Sequence, residues 1–234
     1  MRVLAFVAHP DDIELQCGGT LIKCVQRGDD VYACHLSNGD LGHVVIMPKE
    51  LGIMRRNEAQ DSGKVGGYHV LYGGFTDLEI FSGNRKSRDV IVDIIREIKP
   101  DFIITHNPVD YMADHVATSK LVLDASYAAT LPDYPSKTKE PAKECPIYFM
   151  SPSRAFDFTP NEYVDVTDVM DLKKQAFLCH KSQVEWLMAH THTDPTLNMY
   201  NASEFWGRQC GVKYAEVFSQ HFSGSRITTK RLLP

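Results

Sequence analysis

The chain has 234 residues, 43% hydrophobic and 24% charged, which suits a soluble globular protein with a substantial core. Its net charge of −5 offers no basic excess for holding nucleic acid. No window approaches the roughly 18–20 apolar residues of a stable membrane span, and the apolar run at residues 3–8 is too short for a signal peptide, so the chain reads as cytoplasmic. The first element in chain order, "RVLAFVA" (2–8), has the continuous apolar character of a strand buried on both faces. "GGTLIKCVQRG" (18–28) places Leu21, Ile22 and Val25 at helical spacing, with Gly28 to end the helix. "DVYACHLS" (30–37) reads as a second strand, "PKELGIMRRNEAQDSGKVGG" (48–67) as a helix and "YHVLY" (68–72) as a third strand.

"SRDVIVDIIREIKP" (87–100) carries one apolar stripe, Val90, Ile91, Ile94, Ile95 and Ile98, and Pro100 stops it. "DFIITH" (101–106) is the fourth predicted strand and "DHVATSKLVLDASYAA" (114–129) the helix after it. A Pro/Lys/Glu-rich loop fills 131–146, and "IYFMS" (147–151) is a fifth strand. Residues 168–190 read as one helix capped by Thr167, and 202–218 as a last helix with a short extended piece. Strands alternating with helices imply right-handed parallel crossovers. The expected fold is therefore α/β: one doubly wound, Rossmann-like domain over 1–234 with a mainly parallel sheet. Six scattered cysteines with no CxxC pair read as reduced thiols.

Sites in such sheets lie beyond the carboxyl ends of the strands, where strand order reverses. That rule brings "HPDD" (9–12) beside "HNPVDYMADH" (106–115). A hydrolytic zinc site takes three protein ligands and leaves one position for water. His9 and Asp12 share one turn, and His115 supplies a third ligand. Asp11 lies between the first two, placed to take a proton from water. Mixed nitrogen and oxygen ligation favours Zn2+ over magnesium. Each residue alone has a bland reading: a surface histidine, two acids at a helix start, a cap. Together at two adjacent strand ends they read as chemistry. No GxGxxG follows the first strand, so no dinucleotide site is expected, and Gly18–Gly19 read as permitting close packing.

"AHPDDIELQCGGTL" with "DYMADHVATS" resembles the LmbE-like, or PIG-L, family of zinc-dependent deacetylases, which remove acetyl from N-acetylglucosamine units. "RRNEAQ" (55–60), "HKSQ" (180–183) and "GVKYAEVF" (211–218) extend the resemblance over most of the chain. It implies zinc on His9, Asp12 and His115, Asp11 as general base, and Arg55 near the substrate. Many members carry a histidine three residues before the one matching His115; here that position is Met112, which can neither polarise a carbonyl nor protonate an amine. The task then falls to His180, His190, His192 or Tyr111, or is unfilled, and Asp114 loses the partner it would orient; with Arg55, Tyr111 and Asp114 are the candidate substrate contacts. His106, at a strand end, is a candidate behind the ligands. The implied function is hydrolysis of an N-acetylated amino sugar or related acetamido compound, with a homo-oligomer as a further expectation. A non-catalytic metal- or sugar-binding protein and a magnesium-dependent phosphoryl enzyme are the alternatives. The loops at 39–48, 73–86 and 131–146 are expected to set the substrate.

Overall fold

The computed structural model describes residues 1–152, 157–192 and 194–234. Seven strands form one sheet: β1 (Arg2–Val7), β2 (Asp30–Ser37), β3 (His69–Phe75), β4 (Phe102–Thr105), β5 (Ile147–Met150), β6 (Glu162–Asp165) and β7 (Ala215–Gln220). Their spatial order is β3-β2-β1-β4-β5-β7-β6. The pairs among the first five are parallel, whereas β7 runs antiparallel to both β5 and β6. The chain winds outward from β1 in one direction through β2 and β3, then returns to the other side of β1 for β4 and β5. The switch point is thus at β1 and β4, as the doubly wound expectation requires.

Successive residues of a strand face opposite sides of a sheet. Val3, Ala5 and Val7 pack on one side with Leu21 and Ile22 of α2 (Gly18–Gln26) and with Met170 and Phe177 of α6 (Met170–Phe177). Leu4, Phe6 and Ala8 pack on the other with α4 (Arg85–Ile98) and α5 (Ala113–Ala128). The stripe read from α4 divides as expected: Ile91 and Ile95 are buried, while Val90, Ile94 and Ile98 are partly buried against the same core. A Cβ on Gly19 would come within 2.7 Å of Val166, so glycine here lets α2 approach the turn after β6.

Several boundaries differ from the reading of the sequence. A short helix, α1 (Asp12–Gln16), starts inside the HPDD turn, and α3 spans Pro48–Gly66. The predicted 168–190 helix is α6 and α7 (Lys181–Thr191), interrupted at Leu178–His180. Thr167 does not cap it: its side chain accepts from the Tyr214 N–H at 3.1 Å, tying a 3-10 turn to the entry of β7. α8 begins at Pro195, where Asp194 caps it by accepting from the Thr196 N–H. The extended piece expected at the end of 202–218 is β7, whereas β6 escapes the sequence because a four-residue strand with mixed exposure carries little periodicity.

The connection 129–146 also lies elsewhere than expected. α5 starts beyond the carboxyl end of β4 and returns across the sheet, so this loop sits at the opposite edge, where β5 begins. There the buried Arg96 of α4 donates to the carbonyls of Ala129, Leu131, Tyr134 and Thr138 at 2.5–3.2 Å. The segment 131–146 is therefore removed from the face that the strand-end rule assigns to the site, and the substrate role expected for it is withdrawn.

Candidate metal centre

β1 delivers His9 just past its carboxyl end, and the following turn reverses sharply. Asp11 sits at φ 109°, a left-handed conformation that costs a non-glycine residue on the order of 1–3 kcal/mol. The turn is held from within: the His9 N–H donates to Asp12 Oδ2 at 2.8 Å. Asp12 is left as a buried carboxylate with three imidazoles around it. His9 Nδ1 lies 3.4 Å and His106 Nε2 3.3 Å from Oδ2, and His115 Nε2 lies 3.3 Å from Oδ1. Burial by itself would raise the Asp12 carboxyl pKa, but His115 and His106 hold it well below the usual range.

The outer nitrogens of two of these rings are taken by carboxylates. His115 Nδ1 is 3.0 Å from Asp110 Oδ2, and His9 Nε2 is 3.1 Å from Asp114 Oδ2. An ionised carboxylate only accepts, so each of those nitrogens carries the proton. In the neutral rings the lone pairs of His115 Nε2 and His9 Nδ1 then point toward the Asp12 oxygens, and His115 Nε2 is buried without a hydrogen-bond partner. Three acceptors converging on one point want a cation between them. Ligand atoms of His9, Asp12 and His115 lie within 4.8 Å of one another. Without such a cation the rings hold protons instead: burial lowers the His9 pKa, yet Asp114 and Asp12 bring it up to about 10, and Asp12 and Asp110 bring His115 up to about 9 against the same burial.

His106 belongs to this cluster differently. Its Nε2 accepts from the Ala8 N–H at 2.9 Å, so that lone pair is occupied, and its ring stacks on His115 with centroids 3.8 Å apart. Burial and the neighbouring His115 lower its pKa to about 4. It supports the rings from behind.

Asp11 is next to the cluster without joining it. Its Oδ1 is 3.1 Å from Arg55 Nη2. Burial raises its pKa, Arg55 opposes, and the balance is about 6. Arg55 itself is 3% exposed, and it donates to the carbonyls of Pro10 at 2.5 Å and Gly39 at 3.0 Å. A Cβ on Gly39, which has φ +70°, would come within 2.4 Å of the guanidinium, so glycine makes room for this arginine. Arg55 thus stands behind Asp11, bound to the turn that carries it. The Asp114 carboxylate, which has no histidine at position 112 to orient, turns to His9 and accepts from the Leu78 N–H at 2.8 Å.

The remaining candidates separate by location. Tyr111 is exposed on the turn before α5. His180 is buried with Nε2 on Glu14 Oε2 at 3.0 Å, and its charge acts on Asp11. His190 stacks on Trp186 at the surface, and His192 ends α7 exposed. Met112 is the residue just before α5, half-buried, its N–H on Asp110 Oδ1. The sequence reading missed the duty of Asp110 and the buried set of Glu14 with Ser62, Tyr68 and His180. A carboxylate five residues before His115 was the available signal, but it is equally a turn residue.

Residues 4–126 match the family described as PIG-L, GlcNAc-PI de-N-acetylase. The chain is 28% identical over 226 residues to a diacetylchitobiose deacetylase of Thermococcus kodakarensis, spanning 92% of this chain and 81% of that one. A solved N,N'-diacetylchitobiose deacetylase from Pyrococcus horikoshii superposes with a TM-score of 0.81 at 24% identity, over 94% of this chain and 83% of that chain. A 4-oxalmesaconate hydratase of Pseudomonas putida is 24% identical over 193 residues, 77% of this chain and 73% of that one.

Proposed function

The chain belongs to the PIG-L family of GlcNAc-PI de-N-acetylases, and on that premise we propose that it hydrolyses the acetamide of an N-acetylated amino sugar, with Zn2+ on His9, Asp12 and His115. The observation that carries the reading is the set of inward lone pairs on His9 and His115 facing the Asp12 carboxylate. His9 Nδ1 lies 3.4 Å from Asp12 Oδ2 and His115 Nε2 3.3 Å from Oδ1, and one ligand atom from each of the three residues falls within 4.8 Å of the others, close enough to share one ion. Two imidazoles and one carboxylate suit zinc better than magnesium, which speaks against the phosphoryl alternative.

Zinc in that position would polarise the acetyl carbonyl and make an attacking water acidic. The chain supplies the rest. Asp11 stands beside the ligand set and takes the proton of the attacking water. The same carboxyl then returns that proton to the departing amine. Arg55 fixes the Asp11 carboxylate and the Pro10 carbonyl, keeping the strained turn in place. Asp110 and Asp114 fix which nitrogen of each ligand histidine is free. A sugar acetamide is the expected substrate class, and the related diacetylchitobiose deacetylase supports it. Action of residues 1–234 as one domain and assembly into a homo-oligomer belong to the same proposal.

The test is acetate release from acetamido sugars by zinc-loaded protein, with metal content measured on the same sample. Asp11→Asn should keep zinc and lose about 10²- to 10⁴-fold in kcat. Full activity at full zinc content would remove Asp11 from proton transfer. Absence of acetate release, with hydration of an unsaturated dicarboxylate instead, would place the chemistry with the hydratase relative.

A further inference from the structure

A segment from late in the chain reaches three of the elements that support the metal centre. It is the start of α7, where His180, Ser182 and Gln183 are all buried and each meets a different element. His180 Nε2 lies 3.0 Å from Glu14 Oε2 on α1, the helix that begins at the ligand Asp12. Ser182 donates to the Glu58 carboxylate of α3 from its N–H at 2.8 Å and from its hydroxyl at 2.7 Å. Glu58 stands one turn beyond Arg55, and a carboxylate at the first turn of a helix suits the positive end of its dipole. The start of α7 is therefore a fixed point. From it the Gln183 side chain donates through Nε2 to the Gly42 carbonyl at 3.1 Å, in the loop after β2.

From Gly42 the hydrogen bonds run on to Asp11. The Gly42 N–H donates to the Gly39 carbonyl at 3.3 Å, which closes the 39–42 turn, and the same carbonyl accepts from Arg55 Nη1 at 3.0 Å. Arg55 Nη2 lies 3.1 Å from Asp11 Oδ1. A guanidinium is a rigid planar fork, so whatever fixes Nη1 also sets the direction from which Nη2 meets its partner. The fit is close: a Cβ on Gly42 would come within 2.7 Å of Arg55 Nη1. The turn is tied separately to Asp77, whose Oδ2 accepts from the Leu41 N–H at 3.1 Å, so Gln183 holds the side that meets α7. We propose that Gln183 is a positioning residue for acetamide hydrolysis, holding the 39–42 turn against Arg55 so that Arg55 keeps the Asp11 carboxylate aimed at the attacking water. The proposal rests on the deacetylase reading and extends to α7 the set of residues that orient the base.

The experiment is a double-mutant cycle on zinc-loaded protein, with the methyl glycoside of N-acetylglucosamine as substrate. Gln183→Met keeps the length of the side chain and removes the donor. It should lower kcat roughly tenfold, less than the about 10²-fold that a 1 Å misplacement can cost. KM and zinc affinity should stay within about twofold of the parent, since only the orientation of the base changes. In Asp11→Asn the base is already gone, and there Gln183→Met should lower the residual kcat less than about twofold, because residues that act through one group are not additive. Gly42→Ala presses on Arg55 from the turn and should repeat both results; it carries the test if Gln183→Met yields no folded protein. An unchanged kcat in both variants, a loss carried by KM alone, or losses that multiply in the Asp11→Asn background each overturn the proposal. So does weakened zinc binding, since Gln183 would then serve the ligands. Failure of the wild type to release acetate from this and other acetamido sugars refutes the deacetylase reading instead. The link from Gln183 to Arg55 is then judged by urea unfolding: non-additive losses of stability for Gln183→Met and Arg55→Met support it, and additive losses overturn it.

Discussion

His9 and His115 are each held between two carboxylates, one that takes a proton and one that faces the metal position. Asp110→Asn and Asp114→Asn should each weaken zinc binding 10- to 100-fold, because the amide no longer fixes the tautomer. Competition with a fluorescent chelator measures this without relying on turnover. The same pairing changes what Met112→His should do. Asp114, the group that would steer a new imidazole, is already committed to His9 and Leu78. Met112→His is therefore expected to leave kcat within a few-fold of the parent, and a rise of tenfold or more would show that Asp114 changes partner. Glu14 gives a pH signature. Burial opposes its charge, but His180 and Ser62 lower its pKa to about 2 from 4.5. A depressed carboxyl contributes stability above the unfolded value that is lost as pH falls through the folded one. Glu14→Gln should cost on the order of 2–3 kcal/mol at neutral pH and flatten the loss of stability of the metal-free protein between pH 4.5 and 2, read by urea unfolding.

Two helices place the chemistry because of where they begin. α1 starts at Asp12, so the ligand and its backbone bond to His9 are set as the chain leaves β1. α5 starts at Ala113, which puts Asp114 and His115 in the first turn with Asp110 just before it. Neither start uses a side-chain cap, and the adjacent polar side chains go to the cluster instead. At the other edge the contacts touch no residue of the cluster. Arg96 of α4 ties down the 129–138 segment, and Arg96→Met would orphan several carbonyls. A loss of about 2–4 kcal/mol is expected with zinc affinity unchanged. Equilibrium unfolding and chelator competition on one preparation check both halves; weakened zinc binding would mean that the two edges are coupled.

At the scale of the whole molecule, the metal should act as a clamp across β1 and β4, which pair directly up to Phe6 and Thr105 near their carboxyl ends. Zinc at a hundred times its Kd would add about 2.7 kcal/mol. That corresponds to a rise of roughly 5–10 °C in Tm for a chain of this length. Removing zinc with a chelator should reverse the rise, and His115→Ala should show none of it. An equal rise in His115→Ala would point to a different set of ligands.

The sequence by itself determined the alternation of strands and helices, because buried parallel strands and the stripe of α4 carry strong periodicity. It also set His9, Asp11, Asp12 and His115 apart, since such residues at two strand ends have few other uses, and the strand-end rule brought them close in space. It did not reveal β6, nor that the extended piece at the end of 202–218 pairs with it antiparallel over a long separation. Nor did it reveal that Asp114 turns to His9, that Arg55 is spent on Pro10, Gly39 and Asp11, or that 131–146 lies at the far edge. Those facts depend on which of several carboxylates or carbonyls a side chain meets once the sheet has formed. Residue type and spacing limit the possible partners of a charged group; only the packing of distant loops selects among them, because a buried charge takes whichever partner the fold brings within hydrogen-bond reach.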